Sequence, residues 1–331
     1  MWSVLKRYNN CFHGIIGQER IVEGLTQAII NNSIFHSYIF SGPKGSQRTR
    51  MAYSFARALL SKDKPSYNDY RIDDNNHPDL INIFPQGASI KIKQIREDII
   101  GDILIKPFES NYKIYIIHDA HTMGVPAQNT LLKTLEEAPS YGVIILITDN
   151  LSALLPTIIS RSQNYKFQPL KEEVIENYLQ RHQGLELSKA REISLMANGS
   201  IERAIQLSQG EDIRQERQDL LEKLLRIIKD KDIVSVFSTG EYLMEQRDRL
   251  EELLDFLMLW FRDISVYKEL GDNKWIIHKE DKKLLEEFSY YLSDKQINDI
   301  INDISIMKSN RRFNINLQLN IETMLLRIQE E

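Results

Sequence analysis

Residues 38–50 read YIFSGPKGSQRTR and have the layout of a phosphate-binding loop. A short apolar strand leads into Gly42, and a helix is predicted to open near Arg48. In a loop of the form G-x-x-x-x-G-K-[ST], backbone N–H groups cradle the phosphates and the lysine reaches the β- and γ-phosphates. This layout predicts a nucleotide-binding fold.

The loop departs from that form at its functional positions. Counting from Gly42 and past Gly45, the second glycine of the motif falls at Gln47, the lysine at Arg48 and the hydroxyl at Thr49. We expect a Cβ at Gln47 to crowd the approach to the phosphates and to limit access to φ > 0. Arg48 keeps the charge, but its planar fork is a poor substitute for an ammonium group. The sequence therefore predicts a damaged nucleotide site.

The acidic pair that should hold Mg²⁺ and orient the attacking water is also altered. The strand at 114–117 runs into His118 and Asp119, and histidine is a poor ligand for a hard cation. His118 and His121 with Asp119 could instead form a transition-metal site. The interpretation that we favour is polar residues at a strand end, and we expect no metal and no cofactor.

Composition sets the broad class. The chain has 331 residues, 42% apolar and 27% charged, which is ordinary globular material for two or three domains. Its net charge of −5 gives no overall basic field for nucleic acid. A single cysteine, Cys11, excludes an internal disulfide and a four-cysteine metal site. Residues 1–5 lack the features of a signal peptide and no long uncharged apolar run occurs, so we expect a cytoplasmic protein without a membrane segment.

The order of elements predicts an α/β domain followed by helices. Predicted strands at 80–84, 113–117 and 142–148 alternate with helices such as 48–60 and 127–137, which indicates a parallel sheet covered on both faces. Residues 90–96 are predicted to begin another strand or helix. From about Leu170 the strand signal ends, and helices are predicted at 172–182, 188–197, 200–208, 217–229, 250–270, 282–292 and 317–329.

Two segments carry a resemblance to a known family. Residues 129–139, NTLLKTLEEAP, resemble the N-A-L-L-K-x-L-E-E-P helix of bacterial clamp-loader subunits in the AAA+ superfamily. Residues 155–162, LPTIISRS, resemble that family's L-P-T-I-x-S-R-C segment, with Ser162 in place of the cysteine. The order of weaker matches is also similar, at 17–18, 36–38, 77–79, 198–204 and 314–319.

The resemblance implies an architecture. It comprises an AAA+ P-loop-type α/β domain with a parallel sheet (1–168), a small helical lid domain (169–210) and an all-helical collar domain for oligomerisation (211–331). The family usually carries a four-cysteine zinc module after the first helix. Residues 61–77 contain no cysteine, so zinc is not carried over.

Within the family, the chain resembles the δ′ type more closely than the motor type (γ/τ), because δ′ often has a decayed nucleotide site and keeps the S-R-C arginine. The resemblance implies that Arg161, positioned by Ser160, enters the ATP site of a neighbouring subunit. Glu202 occupies the position of the second sensor arginine and Arg203 follows it, which further disfavours a local ATP. Thr148 stands at the first sensor position.

The implied function is that of a non-hydrolysing component of DNA polymerase III. Its partners would be γ/τ and δ subunits, the sliding clamp and primed DNA. The alternatives are an active motor-type ATPase that tolerates Arg48 and a structural interaction module in which Arg161 is incidental.

Two further groups of residues are left open. Lys91, Lys93 and Arg96 form a basic edge that could contact DNA phosphates or simply be solvated. Lys133, Glu136 and Glu137 share a helix at spacings that suit ion pairing as well as a subunit contact.

Overall fold

The computed structural model describes residues 11–61, 71–72, 76–209, 214–246, 249–271, 275–310 and 317–329. Within this part of the chain, two compact units form. The first takes in the residues up to Ile175 and Asn198–Arg203, and the second takes in Glu176–Ala197 and the residues from Ala204 onward. The division into three domains, with boundaries at 168 and 210, stays a prediction. The family match at 314–316 lies outside the described residues.

The first unit is built on a five-stranded parallel sheet in the order β2-β3-β4-β1-β5. The strands are β1 (Ser37–Ser41), β2 (Leu80–Ile83), β3 (Lys113–Ile117), β4 (Gly142–Thr148) and β5 (Gln163–Lys166). The first four are the apolar runs that the sequence predicts. The sequence did not predict β5, because this edge strand is polar and mostly exposed and has no apolar run.

The described residues of this unit include five helical segments. They are α1 (Glu19–Ile30), α2 (Arg48–Leu60), α3, α4 (Val125–Glu137) and α5 (Pro156–Ile159). Segment α3 consists of Ile92–Gln94, a π-helical part Ile95–Ile100, and Gly101–Ile103. The segment for which the sequence allowed a strand or a helix is therefore helical from Ile92 onward.

The strands alternate their side chains between two cores. Ile114 and Ile116 of β3 pack in one cluster with side chains of α1 and α2. Tyr115 and Ile117 pack in another with side chains of α3 and α4. Successive strand residues point to opposite faces, so the apolar run is buried on both sides. The prediction of a parallel sheet covered on both faces is confirmed.

The α-helices of the rest of the described chain come after the sheet. They are α6 (Glu172–Gln183), α7 (Leu187–Met196), α8 (Ile201–Gln209), α9 (Arg214–Asp230), α10 (Ile233–Glu245), α11 (Leu250–Leu270), α12 (Lys282–Tyr291), α13 (Asp294–Asn310) and α14 (Leu317–Gln329). The second unit has its own core, in which Trp260, Phe261 and Phe288 are fully buried. None of the described helices has the length and apolar character needed to cross a lipid bilayer.

Candidate functional site

The segment between β1 and α2, for which the sequence predicts a phosphate-binding loop, forms a turn between the strand and the helix. Gly42 donates its N–H to the carbonyl of Thr148 at the end of β4, 3.2 Å away. Ser46 donates its N–H and its hydroxyl to the carbonyl of Pro43, at 3.3 and 2.7 Å. The result is a closed turn that leads into α2 at Arg48.

Gln47 adopts the left-handed conformation for which the motif provides a glycine. Its φ is 69° and its ψ is 20°, so the Cβ does not keep Gln47 out of the region of positive φ. Nε2 of Gln47 donates to the carbonyl of Ile16 at 2.7 Å, and Oε1 accepts from the N–H of Ile16 at 3.2 Å. A left-handed residue with a Cβ costs about 1–2 kcal/mol, and two hydrogen bonds can offset that. The side chain thereby joins the loop to the segment before α1.

Arg48 stands at the lysine position with its side chain buried. Only 7% of the residue is exposed, and Nη1 has no hydrogen-bond partner among the described residues. Burial lowers the pKa of Arg48, and the carboxylates of Asp149 and Asp119 oppose that shift. The guanidinium is a buried cation in the field of two carboxylates. Thr49, at the hydroxyl position, is exposed.

Ser200 packs onto the loop at Gly45, whose φ is 76°. A Cβ at Gly45 would lie 1.9 Å from Oγ of Ser200. The same hydroxyl accepts the N–H of Arg203 at 3.1 Å and lies 3.5 Å from Oε2 of Glu202. The segment that carries Glu202, which the resemblance puts at the second sensor position, is therefore packed against the loop. Oγ1 of Thr148, the residue expected at the first sensor position, accepts the N–H of Asn150 at 3.1 Å.

The imidazole ring of His118 is hydrogen-bonded and stacked within the protein. Nε2 lies 2.9 Å from Oδ1 of Asn82, which also accepts the hydroxyl of Tyr53 at 3.0 Å. Because a carbonyl oxygen only accepts, Nε2 carries the proton. The ring stacks on Phe84 with centroids 4.1 Å apart. Burial lowers the pKa of His118 to about 4, so the side chain is neutral at pH 7.

The two histidines of the possible metal site have different partners. Nδ1 of His121 lies 3.1 Å from Oδ1 of Asp149, whereas His118 is bonded to Asn82. Asp119 is left-handed, with φ 47° and ψ 47°, and its carbonyl accepts the hydroxyl of Thr122 at 2.8 Å. Over the described residues, no cluster of three or more His, Cys, Asp or Glu side chains is placed to hold a metal ion.

Arg161 lies between α5 and β5 with 39% of its side chain exposed. Nη2 forms an ion pair with Oε1 of Glu136 at 2.7 Å, and Nη1 donates to the carbonyl of Thr157 at 3.2 Å. The hydroxyl of Ser160 donates to the same carbonyl at 3.1 Å. Ser160 and Arg161 thus share one anchor in α5. Of Lys133, Glu136 and Glu137, whose role the sequence left open, Glu136 forms the ion pair with Arg161.

Ser162 fixes the segment that carries the arginine, a role that sequence reasoning missed. Its hydroxyl donates to the carbonyl of Ile158 at 2.9 Å and lies 2.6 Å from the hydroxyl of Ser37. Ser37 is fully buried as the first residue of β1. The only signal in the sequence was that Ser162 follows the arginine in the matched segment.

Arg161 and the loop lie at opposite ends of the strands, Arg161 where β1 begins and the loop where β1 ends. Ser162 is bonded to Ser37, where β1 begins, and the loop starts after Ser41, where β1 ends. A strand rises about 3.3 Å per residue, so the five residues of β1 separate the two by roughly 15 Å. Arg161 is therefore remote from the phosphate position of its own loop.

The basic edge lies at the start of α3. Lys91, Lys93 and Arg96 are all exposed. Nζ of Lys91 donates to the hydroxyl of Ser89 at 3.0 Å, and Nζ of Lys93 lies 3.9 Å from Glu97. All three cations are accessible to solvent, and the structure brings none of them to Arg161 or to the loop through a described contact.

Two family models match this chain. The model described as "DNA polymerase III, delta subunit" matches residues 17–171, and the model described as "DNA polymerase III, delta subunit, C terminal" matches residues 211–330. Together they span most of the chain and cover both its α/β part and its helical part.

The chain is also similar to individual proteins. DNA polymerase III subunit delta′ of Bacillus subtilis is 29% identical over 322 residues, which is 95% of this chain and 96% of that protein. Subunit tau of the same organism is 28% identical over 81% of this chain, but this chain spans only 52% of tau. A solved gamma subunit-related protein of Thermotoga maritima is 20% identical, with a TM-score of 0.46, over 92% of this chain and 98% of that one.

The match to delta′ runs along nearly the whole of both proteins, whereas the match to tau takes in about half of tau. The two family models match the part of the chain that carries the parallel sheet and the helical part that follows it. The chain therefore belongs to the δ′ type of clamp-loader subunits of bacterial DNA polymerase III.

Proposed function

We propose that this subunit does not hydrolyse ATP itself and that it donates Arg161 to the ATP site of a neighbouring subunit. The observation that carries the proposal is the position of Arg161, exposed at the end of the strands opposite to the chain's own loop. A side chain in that place can reach phosphate only on another molecule. Membership of the δ′ type also supports the proposal that Arg161 acts on a neighbouring subunit.

The chemistry of such a donation is electrostatic. A guanidinium supplied in trans stabilises the charge on the γ-phosphoryl group as it transfers, and it contributes about 10³–10⁵ in rate in related NTPases. Arg161 has the required features, because its carbonyl contact to Thr157 and its ion pair with Glu136 orient a guanidinium that is still partly open to solvent.

The chain's own loop is unsuited to hydrolysis. Gln47 uses its amide on Ile16, and Arg48 lies buried beside Asp119 and Asp149. His118 occupies the place of a magnesium-binding carboxylate and is neutral and hydrogen-bonded. A neutral imidazole is a poor ligand for Mg²⁺, which prefers oxygen. The degenerate loop and the altered acidic pair therefore support a role without local catalysis.

The partners follow from the δ′ assignment. We place the chain in the cytoplasm, in an assembly with γ/τ motor subunits and δ, which loads the sliding clamp on primed DNA. Lys91, Lys93 and Arg96 are the candidates for contact with DNA phosphates in that assembly, because they form an exposed basic edge.

One observation favours a second candidate, the motor-type ATPase. Nη1 of Arg48 is buried and unpaired within the described part of the chain, and a bound phosphate would satisfy such a donor. Calorimetry of the isolated chain with Mg²⁺ and millimolar ATP separates the two. We expect no binding heat. Binding that Arg48→Ala abolishes, together with ATP turnover, would replace the proposed function with the motor-type one.

A further inference from the structure

Glu136 holds the guanidinium of Arg161 from a rigid support. It lies in the last turn of α4, directly after Leu135, which is fully buried against the sheet. Gln128, buried in the same helix, accepts the N–H of Leu155 at 2.8 Å and donates to the carbonyl of Ala153 at 3.0 Å. These bonds tie α4 to the segment that precedes α5. The helix that carries Glu136 is therefore held against the segment that leads to Arg161.

Two nitrogen atoms of the Arg161 guanidinium have partners. Nη2 faces Oε1 of Glu136 at 2.7 Å, and Nη1 faces the carbonyl of Thr157 at 3.2 Å. An arginine has five N–H donors in a planar fork, so two contacts set the plane and leave donors available. With 39% of Arg161 and 49% of Glu136 exposed, the pair is accessible to an incoming phosphate.

The ion pair between Glu136 and Arg161 is strong enough to orient the guanidinium but too weak to keep it from a ligand. Exposed ion pairs contribute little to stability, because water screens the charges and two long side chains lose rotamer freedom. A phosphate with several negative charges competes easily with such a carboxylate for the remaining donors. Glu136 can hold the fork in one orientation without withholding it from a ligand.

We propose that Glu136 is a positioning residue for Arg161, which presets the orientation in which the guanidinium meets the γ-phosphate of a neighbouring subunit. The inference rests on the proposed function of Arg161. Arg161 is the group that contacts the substrate, and Glu136 acts through Arg161. Pre-orientation of a catalytic group raises the rate at saturating substrate, so the effect belongs in kcat more than in KM.

The test uses the whole loader, reconstituted with motor subunits, δ, sliding clamp and primed DNA. Steady-state ATP hydrolysis is measured with Glu136→Ala, Glu136→Asp, Arg161→Ala and the double variant. Glu23→Ala is the matched control, since Glu23 is an exposed glutamate of another helix of the same unit, α1. Thermal unfolding of each isolated variant confirms an unchanged fold.

We expect Glu136→Ala to lower kcat about two- to fivefold with KM nearly unchanged, the range that an exposed pair can supply. Glu136→Asp should be intermediate, and Glu136→Ala should add nothing when Arg161 is already alanine. Activity of Glu136→Ala equal to that of Glu23→Ala, alongside a loss in Arg161→Ala, would overturn the inference and leave the proposed function intact. Unchanged activity in Arg161→Ala would overturn the proposed function itself.

Discussion

The hydroxyl groups of Ser162 and Ser37 lie 2.6 Å apart and join the arginine-bearing segment to the first residue of β1. Ser162 uses its only proton on the carbonyl of Ile158, so Ser37 is the donor of this bond. The donor chain runs from the buried strand to α5. It sets the position of Arg161 relative to the sheet.

Removing the Ser162 hydroxyl should therefore lower the free energy of unfolding more than removing the Ser37 hydroxyl. Ser162→Ala leaves the buried Ser37 hydroxyl without its partner, whereas the Ile158 carbonyl keeps the backbone N–H of Arg161. We expect this change to lower the free energy of unfolding by about 1–3 kcal/mol. Ser37→Ala removes only a donor and should cost less, about 1 kcal/mol. Urea unfolding measures both. Ser160→Ala is the control at an exposed hydroxyl, and a Ser160 effect as large as that of Ser162 would contradict this account.

Gln47 combines backbone strain with two hydrogen bonds, and a pair of variants separates them. Gln47→Ala removes the bonds to Ile16 and keeps the left-handed conformation, so we expect a loss of about 1–3 kcal/mol in unfolding free energy. Gln47→Gly removes the same bonds but relieves the strain, and it should be about 1 kcal/mol more stable than the alanine variant. Denaturant unfolding curves that rank alanine above glycine would show that strain is not present.

The packing of Ser200 on the loop is tested at Gly45. Gly45→Ala places a Cβ 1.9 Å from the Ser200 hydroxyl at a φ of 76°. Gly87 is the matched control, because its φ is 70° and nothing lies within 4 Å of its added Cβ. We expect Gly87→Ala to cost about 1–2 kcal/mol from the backbone alone, and Gly45→Ala to cost roughly 1–3 kcal/mol more from overpacking. Equal losses in the melting curves of the two variants would contradict the contact.

Acid stability should depend on His118. Burial lowers its pKa from 6.5 to about 4 in the folded chain, so between these pH values the unfolded chain binds the extra proton. Folding stability therefore falls as the pH drops from about 6.5 to about 4, by on the order of 3 kcal/mol, and this group causes no further loss below that. His118→Gln should flatten that slope in unfolding measured across the range. The control is His13→Gln, at an exposed histidine, and an unchanged slope in His118→Gln would refute the assignment.

The sequence predicted the sheet where burial leaves a strong pattern. The apolar runs at 113–117 and 142–148 appear as β3 and β4, because strands covered on both faces must be apolar throughout. Helix α2 begins and ends where its periodicity indicates, at Arg48 and Leu60. Strand β5 could not be found this way, because edge pairing with β1 holds its polar residues in place.

The site was harder to predict because its geometry depends on contacts distant in sequence. Residue types identified Gln47, Arg48 and His118 as departures from a working loop. They could not show that Gln47 turns its amide to Ile16, 31 positions away, and accepts a positive φ in doing so. The pairing of Glu136 with Arg161 likewise depends on how α4 and α5 pack.

The central claim, that Arg161 acts on a neighbour's ATP, is tested most directly by single-turnover hydrolysis in the reconstituted loader. The assembly contains unchanged motor subunits and either this chain, its Arg161→Ala variant or its Arg161→Lys variant, with assembly verified by size. We predict that Arg161→Ala slows hydrolysis at the adjacent site by about 10³-fold or more, and that lysine restores little because it lacks the planar fork. An intact assembly that hydrolyses ATP at that site equally fast with Arg161→Ala would contradict the account.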